Sequence, residues 1–398
     1  MITKPTRDLF TDYTLQREDV LARVAESLQL DKTRRQQMED AYSGVTTFLS
    51  NDESYFKNLD IDIYPQGSVR IGTTVRPIKG EEFDLDMVLH IRKLYKDFHP
   101  QVIYRELYNK LKGHGVYGSM TEPKNRCVRL NYAGQFHMDI LPGCMVLETD
   151  LNNIYVPDRE LKGWAAGNPK GYAEWFLAIA NTVQAPLLQT YYRNLIELRA
   201  DVEDLPDDEY YSKTPLQRGV QIMKRYRDIF FENDDEHATS SIVLTTLAAL
   251  YYNGENSIYS TIENILQRIQ QSIATSSELQ QRFKVYNPVN RQEDFTEKWT
   301  AETYNRFFSF CKDFYEKWTA LKRDFSQSSQ MYEQLFGATT YSRVIKEQVQ
   351  KMGKYSSSGL ANAGAILTGG RIIRTDRQGN LNETKGYKNE RHRDFGGE

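Results

Sequence analysis

Three carboxylates and one Gly-Ser step hold most of the chemical information in this sequence. Asp84 and Asp86 stand two residues apart in Phe83-Asp-Leu-Asp-Met-Val-Leu89, and Asp139 stands in Phe136-His-Met-Asp-Ile140. The first stretch alternates and then turns continuously apolar, as a largely buried strand does. Asp84 and Asp86 therefore share one face of it, with Phe83, Leu85 and Met87 on the other. Taken alone, the pair reads equally well as a solvated strand end behind Glu81 and Glu82. On a buried face the two charges repel unless a cation sits between them. Mg²⁺ or Mn²⁺ suits that place, being a hard, oxygen-seeking ion held by one or two carboxylates and substrate oxygens. Residues Cys127 to Leu141 read as two strands joined around Ala133-Gly134. Asp139 then falls between Met138 and Ile140, where an isolated charge is too costly to bury. Three such acids can clamp two divalent ions about 3.5–4 Å apart, one activating an attacking hydroxyl and one steadying a polyphosphate. Asp84, Asp86 and Asp139 are thus the expected metal ligands and catalytic acids, with Asp139 nearest the hydroxyl, whose proton it can draw off.

Gln66-Gly67-Ser68 supplies the complementary half. Ile61 to Tyr64 reads as a short strand, and the residues after Ser68 read as a helix stopped by Pro77. Glycine at such a junction lets backbone approach a ligand closely, and the amides of a helix start favour phosphate. The same residues also describe an ordinary turn with a serine cap. Downstream, Thr214 to Phe230 carries Pro just inside its start and Leu216, Val220, Met223 and Phe230 at helical intervals. Lys224, Arg227 and Asp228 follow at i, i+3 and i+4, a spacing that also describes a charged helix face with one ion pair. Ser240-Ser241 opens an apolar run to Leu250 that is too short to cross a bilayer. These serines are either a plain cap or further phosphate donors. His137, two residues before Asp139 and so on the same face, could touch a base or phosphate, but reads better as a supporting or structural histidine and is assigned no chemistry. Cys127, Cys144 and Cys311 lack metal-ligand spacing.

In this ordered set the sequence resembles the cGAS/DncV-like nucleotidyltransferases, the SMODS-type enzymes of bacterial cyclic-oligonucleotide anti-phage (CBASS) signalling. The resemblance runs from about Tyr64 to Thr340. It rests on Gln66-Gly67-Ser68, Thr74-Val-Arg-Pro77, Asp84-Leu-Asp86, His137-Met-Asp139, and the pairing of Met223-Lys-Arg-Tyr-Arg-Asp228 with Ser240-Ser-Ile242. It implies that Gln66, Gly67, Ser68, Lys224 and Ser241 bind nucleotide triphosphate, and that Asp84, Asp86 and Asp139 hold two Mg²⁺ or Mn²⁺ ions. It implies an α+β fold, a polymerase-beta-like core joined to a C-terminal helical domain around an active-site cleft. The implied activity condenses two nucleoside triphosphates (ATP, GTP, UTP or CTP) and closes the ring into a cyclic di- or trinucleotide. Two alternatives use the same residues: a transferase adding nucleotides to RNA or AMP to protein, and a silent nucleotide sensor.

Bulk properties agree with a soluble globular chain. It has 398 residues, 26% charged and 39% hydrophobic, with a formal net charge of −3. That balance gives no global sign of gripping long nucleic acid. Three scattered cysteines and a start without a secretory pattern lead to the expectation of a cytoplasmic protein. The expected organisation is N-terminal helices over 1–54, a catalytic core over 55–167, a helical domain over 168–350 and a flexible tail over 351–398. Within the helical domain, Trp299, Phe307, Phe308, Phe310, Phe314 and Trp318 read as core, and Pro288-Val-Asn290 as a break between two helices. The tail ends in Gly396-Gly397-Glu398, which fits either an arbitrary end or a segment docked on or joined to a partner protein.

Overall fold

Strand β2 (Phe83–Leu94) is buried along most of its length, and everything that places the acids is built around it. Residues 13–51, 55–78, 82–183, 213–322 and 325–355 are described by the computed structural model, with 374–375, 381–382 and 387–388. On one side β2 pairs antiparallel with β1 (Ile61–Pro65), and on the other it pairs parallel with β5 (Phe136–Leu147). Beyond β5 lie β4 (Val128–Tyr132) and β3 (Thr121–Pro123), both antiparallel. The far half of β5 pairs with β6 (Asp150–Asp158), which pairs with β7 (Gly163–Gly167). The β4–β5 hairpin turns at Ala133-Gly134 as expected, with Gly134 at φ +72°.

Alternation along β2 sorts its side chains between two environments. Leu85, Met87, Leu89 and Ile91 pack with Ile103, Leu107 and Leu111 of α4 (Pro100–Lys112) and with Val45 and Leu49 of α2 (Lys32–Ser50). On the other face Val88 joins a smaller cluster of Tyr64, Ile154, Val156 and Ala165. Asp84 and Asp86 lie on that second face, at the end of the strand.

The second large core is helical. It joins α1 (Tyr13–Ser27), α5 (Pro169–Ala180), α6 (Pro215–Phe230), α7 (Ser241–Tyr251), α8 (Ile258–Glu278) and α9 (Ala301–Ala320) with α10 (Phe325–Phe336) and α11 (Ala338–Tyr355). Phe307, Phe310, Phe314 and Trp318 of α9 are fully buried in it. The stretch expected to be amphipathic from about Thr14 to Leu49 is two helices, because Asp31 caps α2 by accepting from the Arg34 amide at 2.9 Å. Pro288-Val289 does not simply separate helices. It turns a small hairpin of β8 (Tyr286–Asn287) and β9 (Asn290–Asp294). Short strands β10 (Arg374–Thr375), β11 (Leu381–Asn382) and β12 (Tyr387–Lys388) form a three-stranded sheet. The Gly-Gly terminus lies outside the described residues.

The segment after Gly67 departs from expectation. Helix α3 is a single turn, Gly67–Arg70, and does not run to Pro77. It ends because Gly72 takes φ +69°, a left-handed conformation that stops a helix. Residues Ile71 to Arg76 are then held by one face of α6. Gln217 donates to the Ile71 carbonyl at 2.9 Å, Gln221 to that of Thr74 at 2.7 Å, and Lys224 to that of Thr73 at 3.2 Å. Arg225 donates to the Arg76 carbonyl, and the Arg76 amide donates to Leu28 at the end of α1 at 2.7 Å. Thr214 and Gln217 make the capping box that starts α6, so the helix start and the loop share one glutamine.

Gln221 is fully buried and bridges the Thr74 carbonyl to Gln29 at 3.0 Å. Replacing Gln221 with Leu keeps its bulk and strands buried polar groups, which costs about 1–3 kcal/mol. Urea unfolding of Gln221→Leu should show a loss of that size; unchanged stability would contradict the clamp.

Candidate active site

The acids come first. In the β2–β5 register Asp84 lies opposite His137 and Asp86 opposite Asp139. The sheet thus brings together two sequence-predicted acids from β2 and one from β5, although Asp86 and Asp139 are more than fifty residues apart in the chain. Asp86 is the most confined. A Cβ at Gly67 would collide with its carboxylate, and Gly67 itself sits at φ +60°. Only glycine meets both demands. The Gln66 amide donates to the Asp86 carbonyl at 2.9 Å, tying the Gly-Ser turn to β2. Burial, then the charges of Asp84 and Asp139, push the Asp86 carboxyl up to about 7. Asp84 keeps its side chain 60% exposed to the cleft, yet the surrounding walls also raise its carboxyl above the ordinary range.

Asp139 has a partner that the sequence reading missed. Arg129 lies directly opposite on β4 and grips both carboxylate oxygens at 2.7 Å, with its third contact to Asp84 at 3.6 Å. The signal was available: counting out from a turn centred on Gly134 pairs 129 with 139. His137, read as structural, pairs through Nε2 with Glu82 at 2.9 Å, and Glu82 also accepts from the Gly134 amide at 2.6 Å.

A cavity of about 580 Å³ opens above the sheet end. Gln66, Gly67, Ser68, Asp84, Asp86, Lys224, Arg227 and Ser241 all line it. Every sequence-predicted site residue except Asp139 is therefore on its wall. Thr74 donates its hydroxyl to Ser68 Oγ at 3.3 Å, which leaves the Ser68 proton able to turn to the cavity. Lys224 is 7% exposed and donates to Thr73 Oγ1 as well as its carbonyl, both at 3.2 Å. Desolvation and then Arg227 pull its ammonium down to about 8, against the opposing pull of Asp228 and Asp86. Ser241 accepts from Arg227 Nη1 at 2.8 Å, and Arg227 pairs with Asp228. The spacing read as a simple ion-paired face is a link between α6 and the start of α7.

The donor set fits a hard divalent cation at Asp84 and Asp86, since two crowded carboxylates beside a phosphate-sized cleft are what such an ion accepts. Among the described residues no three metal-capable side chains converge into a cage, and Arg129 holds both Asp139 oxygens. For Asp139 to join such a set, its carboxylate would have to leave Arg129.

Comparison with known proteins agrees with this layout. Residues 16–179 match the family model for the Second Messenger Oligonucleotide or Dinucleotide Synthetase domain. A c-di-GMP synthase of Roseivirga ehrenbergii is 38% identical over 359 residues, 89% of this chain and 92% of that protein. The cyclic dinucleotide synthase CdnG of Bradyrhizobium diazoefficiens is 24% identical over 85% of each chain. The solved structure of that CdnG, in complex with GTP, superposes with a TM-score of 0.67 at 21% identity, covering 83% of this chain and 99% of that one. The mixed sheet with its helical half is therefore the fold of these nucleotidyltransferases. Being 38% identical to the Roseivirga synthase over 89% of this chain and 92% of that protein, this protein belongs to the second messenger oligonucleotide or dinucleotide synthetase family and is a nucleotidyltransferase.

Proposed function

We propose that the protein is a divalent-cation-dependent synthase that condenses two GTP molecules and closes them into a cyclic dinucleotide. The observation that carries this reading is the single cavity shared by Asp84, Asp86, Gly67, Ser68, Lys224 and Ser241. It supports a triphosphate site beside a cation site. The Roseivirga relative, named for c-di-GMP, supports guanine as the base. Cytoplasmic anti-phage signalling is the role we assign to the product. The C-terminal tail is assigned to a protein partner.

Each residue then has a task. Gly67 lets the triphosphate approach the backbone, and the Ser68 hydroxyl, Lys224 ammonium and Ser241 hydroxyl hold its oxygens. Arg227 aims Ser241. Cations held by Asp84, Asp86 and Asp139 would supply charge neutralisation and hydroxyl activation. Asp139 takes the proton from the ribose hydroxyl of the acceptor as its oxygen bonds to the donor α-phosphorus. The bond from that phosphorus to the β-phosphate oxygen breaks, and pyrophosphate leaves. The linear product turns round in the cavity and a second equivalent step closes the ring.

The pair Asp84→Asn, Asp86→Asn should lower product formation from GTP and Mg²⁺ by about a thousandfold or more without loss of fold. Chromatography of phosphatase-treated products reads this, and an unaffected rate would contradict the assignment. Label passing from GTP to added RNA or protein would favour a macromolecular acceptor.

Lys224→Ala should raise the apparent KM for GTP by about tenfold to a hundredfold and change kcat less. A normal KM would count against its phosphate role.

Asp86 gives a pH dependence. Its carboxyl is raised in the fold to about 7, so its contribution to stability is complete below the unfolded value and is lost as pH rises through 7. Cation binding favours the ionised form and displaces a proton. The melting-temperature gain from Mg²⁺ should therefore be small at pH 5.5 and large at pH 8, and largely absent in Asp86→Asn. A gain independent of pH would refute this coupling.

A further inference from the structure

The cavity continues past the phosphate and acid residues to a polar end with no task in the steps above. That end is made by the β8–β9 hairpin, which contributes Asn287, Glu293 and, just beyond, Phe295. Asn287 is 3% exposed, and its orientation is fixed from both sides. Its Oδ1 accepts from the Val289 amide at 3.1 Å, which turns its Nδ2 toward Glu293 Oε2 at 2.8 Å. One carboxylate oxygen of Glu293 is thus occupied, while the second accepts from none of the described residues. Burial raises the Glu293 carboxyl above the ordinary range, opposed by the Asn287 bond and the charge of Arg126. Arg126 is itself engaged with Asp158 at 2.7 Å. Flat surfaces stand nearby: Phe295 meets Tyr172 edge-on at 6.4 Å, and Tyr172 is fixed by Thr246 at 2.9 Å.

We propose that Glu293, oriented by Asn287, reads the Watson–Crick edge of a guanine base and sets the nucleotide preference of this cavity. Guanine presents two adjacent donors there, N1–H and the 2-amino group, and a carboxylate is acceptor-only when ionised. Adenine presents an acceptor at N1, which repels the carboxylate. A site built to pair with a donor discriminates strongly against analogues lacking it, because its buried acceptor is left unmatched. Phe295 and Tyr172 supply the apolar wall that a base requires. This assigns the residue that reads the base in the synthase reading above and rests on that reading for the placement of the triphosphate.

Calorimetric titration with Ca²⁺ in place of Mg²⁺ separates recognition from turnover. The wild-type protein should bind GTP about tenfold to a hundredfold more tightly than ATP, and more tightly than inosine triphosphate, which lacks only the 2-amino group. Glu293→Gln, close in shape, should bind GTP and inosine triphosphate equally with an unchanged melting temperature, and Glu293→Asp should recover part of the preference. Equal binding of GTP and inosine triphosphate by the wild-type protein would overturn the proposal without any variant. So would a GTP preference that survives in Glu293→Gln. A Glu293-dependent GTP preference with no phosphatase-resistant product would sustain the base site and sink the synthase reading. A cyclic product whose base content ignores Glu293 would do the reverse.

Discussion

Burying the Asp86 carboxylate beside Asp84 and Asp139 is the constraint on which the rest of this site depends. The fold accepts that arrangement because β2 and β5 are core strands whose opposite faces anchor a large apolar cluster. Leu85 and Met87 drive burial of the same strand that exposes the acids to one another. The repulsion is met within the protein in two ways. The Asp86 carboxyl is pushed up to about 7, and Arg129 takes Asp139. Both are the responses expected of crowded acids in a poorly solvated place. The same crowding of charge at this strand end is what supports the proposed divalent-ion site.

A second constraint is mechanical. The loop carrying Gly67 and Ser68 has one short turn of helix, so its shape cannot come from its own hydrogen bonds. It comes from α6, whose Gln217, Gln221, Lys224 and Arg225 hold four carbonyls between Ile71 and Arg76. These residues sit near i, i+4, i+7 and i+8, one face of a helix. The loop is thereby registered against the helical half, and α1 adds the Arg76 amide contact. Lys224 belongs to both the clamp and the cavity, which explains why it is buried and has its charge weakened. On the proposed function, a triphosphate would compete with the Thr73 oxygens for the same ammonium.

Much of the site was readable because its residues obey short periodicities. Asp84 and Asp86 are fixed to one face by the two-residue period of a strand, and the Ala133-Gly134 turn places Asp139. Lys224 and Ser241 came from family resemblance, since no local pattern distinguishes them from a charged face and a cap. The length of α3 was misjudged because Gly72 stops it, and its position was masked by Pro77 as the more obvious breaker. Arg129 was missed although strand arithmetic reaches it. Asn287 and Glu293 were not legible at all. They lie on a hairpin mistaken for a helix break and reach the cavity only through tertiary packing of β9 beside β7.

Crystals grown with Mn²⁺ and a non-hydrolysable GTP analogue would test the central assignment most directly, by anomalous scattering from the metal. The expected result is Mn²⁺ between the analogue's phosphates and the carboxylates of Asp84 and Asp86, with Asp139 released from Arg129 to join them. Metal located elsewhere, or an Asp139 still held by Arg129 beside an ordered triphosphate, would contradict the assignment of these three acids.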